Sequence, residues 1–322
     1  MFSAEGYEAL RGQAARVGRS DRGVLRLTGA DRTTWLQGLV TNDVLALGAG
    51  RRLYSAWLTP QGRMITDLWI VAAPDALLLD VPAPLSASLA ARLDGLVFAE
   101  DVQIDDVSSQ VACSMVVGPL VRGGGVTAAA GSSALPCAEV LVADDTYGVP
   151  GLVAYGDLDR LLDLGGLAAL KEAPRVDLDT FDVLRIEAGV PRFLVDMTGD
   201  TIPLEAGIED RAISFTKGCY VGQEVIVRVT TRGGGRVAKR LVGLALDPAG
   251  TPVPPAGAPV HAGDRLVGHV TSAARSPRLG QVIALGYVHR EFVDSGTHLE
   301  VLHGEQRIPA LVTALPFVAS SR

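Results

Sequence analysis

Cysteine is scarce in this chain of 322 residues. Cys113, Cys137 and Cys219 are an odd number, far apart, with no CxxC pair. That argues against a disulfide framework and against a closed zinc or iron–sulfur site built from this chain alone, and it fits a reducing cytoplasm. Long apolar runs are missing too: no stretch of about 18 residues is free of charge and proline, so no membrane-spanning helix is expected. The opening MFSAEGYEAL is mildly acidic and lacks an apolar core, which is not the pattern of a secretory signal. A positive balance is absent, and the net charge of −7 argues against a general nucleic-acid binder. Lysine is nearly absent, 3 against 26 arginines, so a lysine at 217, two residues before a cysteine, stands out. The five histidines (His261, His269, His289, His298 and His303) share no HxxxH spacing and read as surface or structural residues. No nucleophile motif supports a Ser/His/Asp triad.

The composition that is there, 48% hydrophobic and 20% charged, is that of a soluble globular protein of two or three domains, expected as a monomer. Its charge is uneven. Lys217 to Arg240 holds six basic residues and one acid, so that segment is +5 and the remainder −12. It is either a solvated basic turn or a site for an anionic ligand or acidic partner.

Strand and helix patterns alternate through the first two thirds. GVLRLTG (23–29) alternates as a half-buried strand. ADRTTWLQGLVTNDV predicts a helix with Asp31 as N-cap and Trp35, Leu36, Leu39 and Val40 on one face. LYSAWLTPQGRMITDLWIV predicts a hairpin turning at Thr59–Gly62, and DALLLDV another strand. Helices are expected after Pro84, over DLDRLLDLGGL, and over DLDTFDVLRIEAGVP, the last capped by Asp177 or Asp179 and stopped by Gly189 and Pro191. A strand near 111–117 ends at VRGGGVTAAAGSSALP, a loop or crossover. From about Arg240 to Phe317, five short strands punctuated by Gly, Pro, Ser and Asp predict a small all-β barrel or sandwich. The fold class is α+β.

Three positions carry chemistry. Cys219 lies among glycine, lysine, glutamine and glutamate, which is no core environment. It is either packing or a functional thiol, favoured as thiolate if a helix N-terminus or Lys217 lies beside it. Gly218 would permit a backbone turn there. Asp67 falls on the strand face shared by Ile65, Trp69 and Val71, where a carboxylate needs a partner. It is either an edge carboxylate capping nearby backbone or a ligand anchor. Glu187 borders the apolar face of its helix, set by Val183 and Leu184, while Arg185 is too close in sequence to share that face. Glu187 is either solvated or placed to accept two parallel N–H donors from a flat heterocycle such as an aminopyrimidinone.

RIEAGVPRF, DTIPLEAG and ISFTKGCYVGQEVIVR, all within 185–228, together resemble the YgfZ family of folate-binding, iron–sulfur-related proteins, relatives of the glycine-cleavage T protein. The run Lys217-Gly218-Cys219-Tyr220-x-Gly222-Gln223-Glu224 matches that family's signature. LTPQGRMITDLWI resembles the T-protein hairpin that faces folate, and GHVTSAARSPRLGQVIALGYV its C-terminal barrel. The resemblance implies a three-domain ring with ferredoxin-like N-terminal and middle elements. Residues 1–236 would form a folate-binding region of two interleaved α+β domains, the middle one about 50–110, and 237–322 a β-barrel. It implies tetrahydrofolate as cofactor, Glu187 at the pteridine edge and Asp67 near the reactive nitrogens; the basic segment adds the expectation that some of Arg228, Arg232 and Arg236 hold the folate's glutamate tail or an acidic partner. It implies a role in iron–sulfur cluster assembly or repair alongside an A-type scaffold protein, with Cys219 as the functional thiol. T proteins typically carry adjacent aspartates where this chain has Thr66-Asp67, and they lack the cysteine motif. Both departures count against the alternative, aminomethyl transfer or demethylation, in which Asp67 alone would orient the folate nitrogen.

Overall fold

In the computed structural model, which describes residues 1–121, 140–232, 234–247 and 250–319, the chain runs in order through the following elements. These are α1 (Ala4–Gly12), β1 (Ala15–Gly18), β2 (Arg22–Thr28), α2 (Arg32–Gln37), β3 (Arg52–Leu58), β4 (Met64–Ala72), β5 (Leu77–Pro82) and α3 (Ser86–Asp94). Then come β6 (Gln103–Asp106), β7 (Cys113–Val117), β8 (Val140–Asp144), β9 (Gly151–Tyr155), α4 (Leu158–Leu164), β10 (Arg175–Val176) and α5 (Leu178–Glu187). Three short helices follow: α6 (Pro203–Ala206), α7 (Glu209–Ala212) and α8 (Gln223–Val227). The last elements are the strands β11 (Lys239–Leu246), β12 (Pro259–Ala262), β13 (Arg265–Ser276), β14 (Gln281–His289), β15 (His298–His303) and β16 (Gln306–Thr313). The chain divides into two units: Met1–Asp145 with Val149–Phe181 and Asp210–Gln223, and Thr146–Gly148 with Asp182–Glu209 and Glu224–Arg322.

The first unit holds two five-stranded sheets, ordered β3-β4-β5-β2-β6 and β10-β1-β7-β9-β8. The expected hairpin is β3–β4. Thr59 N–H donates to Arg63 O, Gly62 N–H to Thr59 O, and Gly62 takes φ +75°, which only glycine adopts freely. The apolar stripe of α2 behaves as its spacing predicts. Trp35, Leu36 and Val40 are buried with Leu25, Leu27, Ile70, Leu79 and, from α3, Leu89 and Leu93. The helix is shorter than its pattern, and its cap differs: the Asp31 side chain accepts from Asp101 N–H, a tertiary bond, and makes no cap bond. The second sheet packs Val116, Leu141 and Leu152 against Leu161 and Leu162 of α4. Asp157 caps α4 through the Asp159 and Arg160 amides, and Asp177 accepts from Thr180 N–H at the start of α5.

In the second unit the barrel-or-sandwich alternative resolves to a closed barrel, β11-β14-β13-β12-β15-β16. Strand β12 was not legible in the sequence; PVHA has too few residues to show alternation. Val242, Leu244, Val260, Val270, Ala284, Val301 and Val312 fill the interior. Most of the VRGGGVTAAAGSSALP stretch, and Cys137, lie outside the described residues. No helix among the described residues is long and apolar enough to cross a membrane.

Backbone approach in the barrel is closest at Gly268, where an added Cβ would lie 1.9 Å from Tyr287 O. Gly268→Ala is expected to lower unfolding free energy by about 2 kcal/mol or more. Gly18→Ala, at a position with nothing within 4 Å, should shift it by about 0.5 kcal/mol or less. Urea denaturation checks the pair, and equal effects would contradict the close contact.

Candidate functional site

Asp67 stands opposite Ala56 in the β3–β4 ladder, just beyond the β4–β5 pairing, which begins at Trp69 and Asp80. Since β4 lies between β3 and β5, Asp67 is not the edge carboxylate capping backbone that its sequence also allowed. It is 5% exposed, and its partners are side chains. The Tyr54 hydroxyl donates to Oδ2 at 3.0 Å, and Arg22 Nη1 reaches Oδ1 at 3.4 Å. Arg22 commits its other donors to Asp80, with Nε at 2.5 Å from Oδ1 and Nη2 at 2.7 Å from the Asp80 carbonyl. Asp80 Oδ2 in turn accepts from the Tyr155 hydroxyl at 2.8 Å, with Cys113 Sγ at 3.8 Å. Arg22 and Asp80 belong to β2 and β5, and Tyr155 and Cys113 to β9 and β7, so this buried cluster ties the two sheets of the first unit together.

The electrostatics follow from burial. Desolvation alone would lower the Arg22 pKa, but Asp80 and then Asp67 outweigh it and the net direction is up. Burial, then the adjacent carboxylate, raises the hydroxyl pKa of Tyr54 and of Tyr155, and burial followed by Asp80 raises the Cys113 thiol. On the same sheet Arg52 stacks on Trp69 at 3.7 Å while pairing with Asp144, Trp69 packs on Tyr54 at 4.9 Å, and Arg211 lies over Tyr54 at 5.2 Å. Sequence reasoning picked out Asp67 and missed Arg22, Tyr54, Asp80 and Tyr155. A signal existed: Asp80 interrupts the apolar run LLLDVP and needs a partner as much as Asp67 does.

The cysteine motif separates into anchors and display. Lys217 sends its three donors to the carbonyls of Gln37, Val40 and Asn42, at 2.6, 2.7 and 2.9 Å, around the C-terminal end of α2. An ammonium has three N–H groups, so none is left for Cys219. Burial pulls the Lys217 pKa down to about 8, with Asp43 opposing. Helix α8 starts only at Gln223, so Cys219 is not at its N-terminus. The helix-terminus expectation for the thiol is therefore corrected, Lys217 spends its hydrogen bonds elsewhere, and what stands is exposure. Gly218 is not the turn glycine either, since it lacks a positive φ. Gly222 has φ +85°, and a Cβ there would lie 2.6 Å from Thr59 O. Tyr220 is buried, which pushes its hydroxyl up to about 12, whereas Phe215, Thr216, Gly218, Cys219 and Glu224 are exposed and Gln223 is half-buried.

In the second unit Glu187 is fully buried rather than solvated at a helix edge. Ser276 Oγ of the barrel donates to its Oε1 at 2.5 Å, and its backbone carbonyl accepts from Val318 N–H. Arg185 is buried as well, against the expectation that it would turn away. It pairs with Asp182 and Asp196 and bonds Val190 O and Ser272 Oγ. Asp196 also accepts from Thr271 and Ser272. Arg228 and Arg236 are exposed. Lys239 lies 4.9 Å over the Tyr287 ring, and Arg240 pairs with Glu209, so those two basic residues serve the barrel. Among the described residues no group of three or more His, Cys, Asp or Glu side chains is placed to hold a metal ion.

Residues 2–123 match a family model described as the GCVT N-terminal domain, and residues 239–319 one described as the glycine cleavage T-protein C-terminal barrel domain. An aminomethyltransferase of Bacillus subtilis is 30% identical over 333 residues, covering 97% of this chain and 89% of that one. An aminomethyltransferase of Thermosynechococcus vestitus is 31% identical over 337 residues, covering 98% and 88%. The crystal structure of the glycine cleavage system aminomethyltransferase T of Bartonella henselae superposes with a TM-score of 0.82 at 21% identity, covering 98% of this chain and 89% of that one, which establishes the fold.

Cys219 is exposed and Cys113 buried beside Asp80. In a Cys137→Ser background, a thiol reagent such as DTNB should modify Cys219 within minutes in the native protein. Cys113 should react only at the rate of unfolding. Two equally fast thiols would refute the burial of Cys113.

Proposed function

We propose that this chain, which belongs to the glycine-cleavage T-protein family, binds tetrahydrofolate and serves one-carbon transfer of the aminomethyl type. Similarity to aminomethyltransferases along nearly the whole chain supports the transfer and outweighs the Thr66-Asp67 departure. The observation that carries folate binding is Glu187. Its carboxylate is fully buried and fixed at the end of α5 by the Ser276 hydroxyl, and it is proposed to accept there from the paired N–H groups of a pteridine edge. Asp67, with acceptor capacity beyond its Tyr54 bond, is the residue proposed near the reactive nitrogens. Arg228, exposed, is proposed for the carboxylate tail. Bound tetrahydrofolate supplies the nitrogens that take up the one-carbon unit.

A second reading is favoured by one observation, the exposure of Cys219 within a motif that Lys217, Tyr220 and Gly222 anchor. In this reading, which carries the finer YgfZ assignment, the chain is a folate-binding accessory protein for iron–sulfur cluster assembly or repair. Cys219 meets further thiolates on an A-type scaffold partner, because a lone thiolate cannot close a cluster site.

Glu187→Ala should weaken tetrahydrofolate binding by about 2–4 kcal/mol, roughly 30- to 1000-fold, in calorimetry. Unchanged affinity would remove Glu187 from the site. The two readings separate in one further comparison. Turnover of an aminomethyl-lipoyl carrier with tetrahydrofolate, insensitive to Cys219→Ser, supports transfer. No turnover, together with loss of iron–sulfur enzyme activities in a deletion strain that Cys219→Ser fails to restore, supports the accessory role.

A further inference from the structure

Asp67 and Asp80 share one guanidinium unequally. Asp80 takes Arg22 Nε at 2.5 Å and the Tyr155 hydroxyl at 2.8 Å, its carbonyl takes Arg22 Nη2 at 2.7 Å, and Cys113 lies at 3.8 Å. Asp67 has one good bond, from Tyr54 at 3.0 Å, and a stretched contact of 3.4 Å to Arg22. An ionised carboxylate offers about four acceptor positions. Among the described residues, most of the Asp67 capacity is therefore unspent on a side chain only 7% exposed. The charge balance agrees. Two carboxylates face one guanidinium, while the neighbouring cations are engaged elsewhere: Arg19 with Asp21, Arg52 with Asp144, and Arg211 over the Tyr54 ring. A buried carboxylate short of donors is costly, and folds retain such a cost where a ligand relieves it.

The cause of the shortage is Asp80. While its carboxylate and carbonyl hold Nε and Nη2, the rigid guanidinium fork cannot swing Nη1 closer to Asp67. We propose that Arg22, braced by Asp80, is a positioning residue that keeps Asp67 short of donors so that Asp67 selects ligands bearing an N–H group. Asp80 itself, saturated inside the protein, sets that selectivity. The inference rests on the folate reading above, in which the N–H belongs to ring position 5 of a reduced folate.

The test compares tetrahydrofolate with 5-formyltetrahydrofolate, which lacks that hydrogen, by calorimetry. Wild-type protein should prefer tetrahydrofolate, and Asp67→Asn should lose the preference. Asp80→Asn frees Arg22 to close on Asp67 and should reduce the preference about tenfold, although every Asp67 atom remains. Arg22→Lys keeps the charge but not the fork, gives a second variant should Asp80→Asn fold poorly, and should reduce the preference too. Glu187→Ala should weaken both ligands alike, and Gly268→Ala, destabilising elsewhere, should leave the preference intact. Asp80→Asn and Arg22→Lys both retaining the wild-type preference, or losing affinity for both folates equally, would overturn the inference while the folate reading survives. Failure of the wild-type protein to bind either folate sinks the reading and the inference with it.

Discussion

Removing charge from water without a partner is among the costliest things a fold can do, and the first unit is organised around meeting that cost at Arg22. One guanidinium stands between two carboxylates, each also held by a tyrosine hydroxyl. Because the participants come from β2, β3, β4, β5 and β9, the pairing can form only when both sheets have closed against each other. Such a cluster contributes little net stability compared with apolar packing of the same volume, but breaking one member strands the others. What it provides is a fixed arrangement. The Asp67 carboxylate is oriented on an interior strand by contacts that reach across two sheets, rather than by a loop free to move.

The second unit repeats the principle with different residues. Arg185 would be an uncompensated charge inside the protein were it not for Asp182, Asp196, Val190 O and Ser272, and the network joins α5 to the barrel strand β13. Burial lowers the Arg185 pKa and its carboxylates more than restore it. Two residues further along the same helix, Glu187 reaches Ser276 at the far end of β13. The placement of Glu187, the one fully buried glutamate among the described residues, thus depends on a strand some ninety residues away in sequence.

The cysteine motif shows how a short signature divides its labour. Lys217 satisfies carbonyls that the end of a helix leaves open, a position where a cation is favoured for both hydrogen bonding and dipole reasons. Gly222 lets the backbone approach the β3–β4 turn, and Tyr220 is buried. With these three holding the segment, Phe215 and Cys219 stay in solvent. Residues that look like activators of the thiol in the sequence are its scaffolding in the structure.

Periodicity alone determined the α+β class, the β3–β4 hairpin, the apolar face of α2 and the β character of the last eighty residues, because each depends on neighbours a few positions apart. Local spacing also exposed Asp67 as a carboxylate in need of a partner. It could not name that partner, since Arg22 lies 45 residues away and the strand pairing that brings them together is a tertiary fact. Nor could it show that Asp31 bonds an amide seventy residues on, that Glu187 and Arg185 are both buried, or that Lys217 turns to α2. Those outcomes depend on which polar groups remain unsatisfied once the sheets and the barrel have formed. Only the assembled fold sets that account, because a buried donor or acceptor takes whatever complementary group the packing brings within reach.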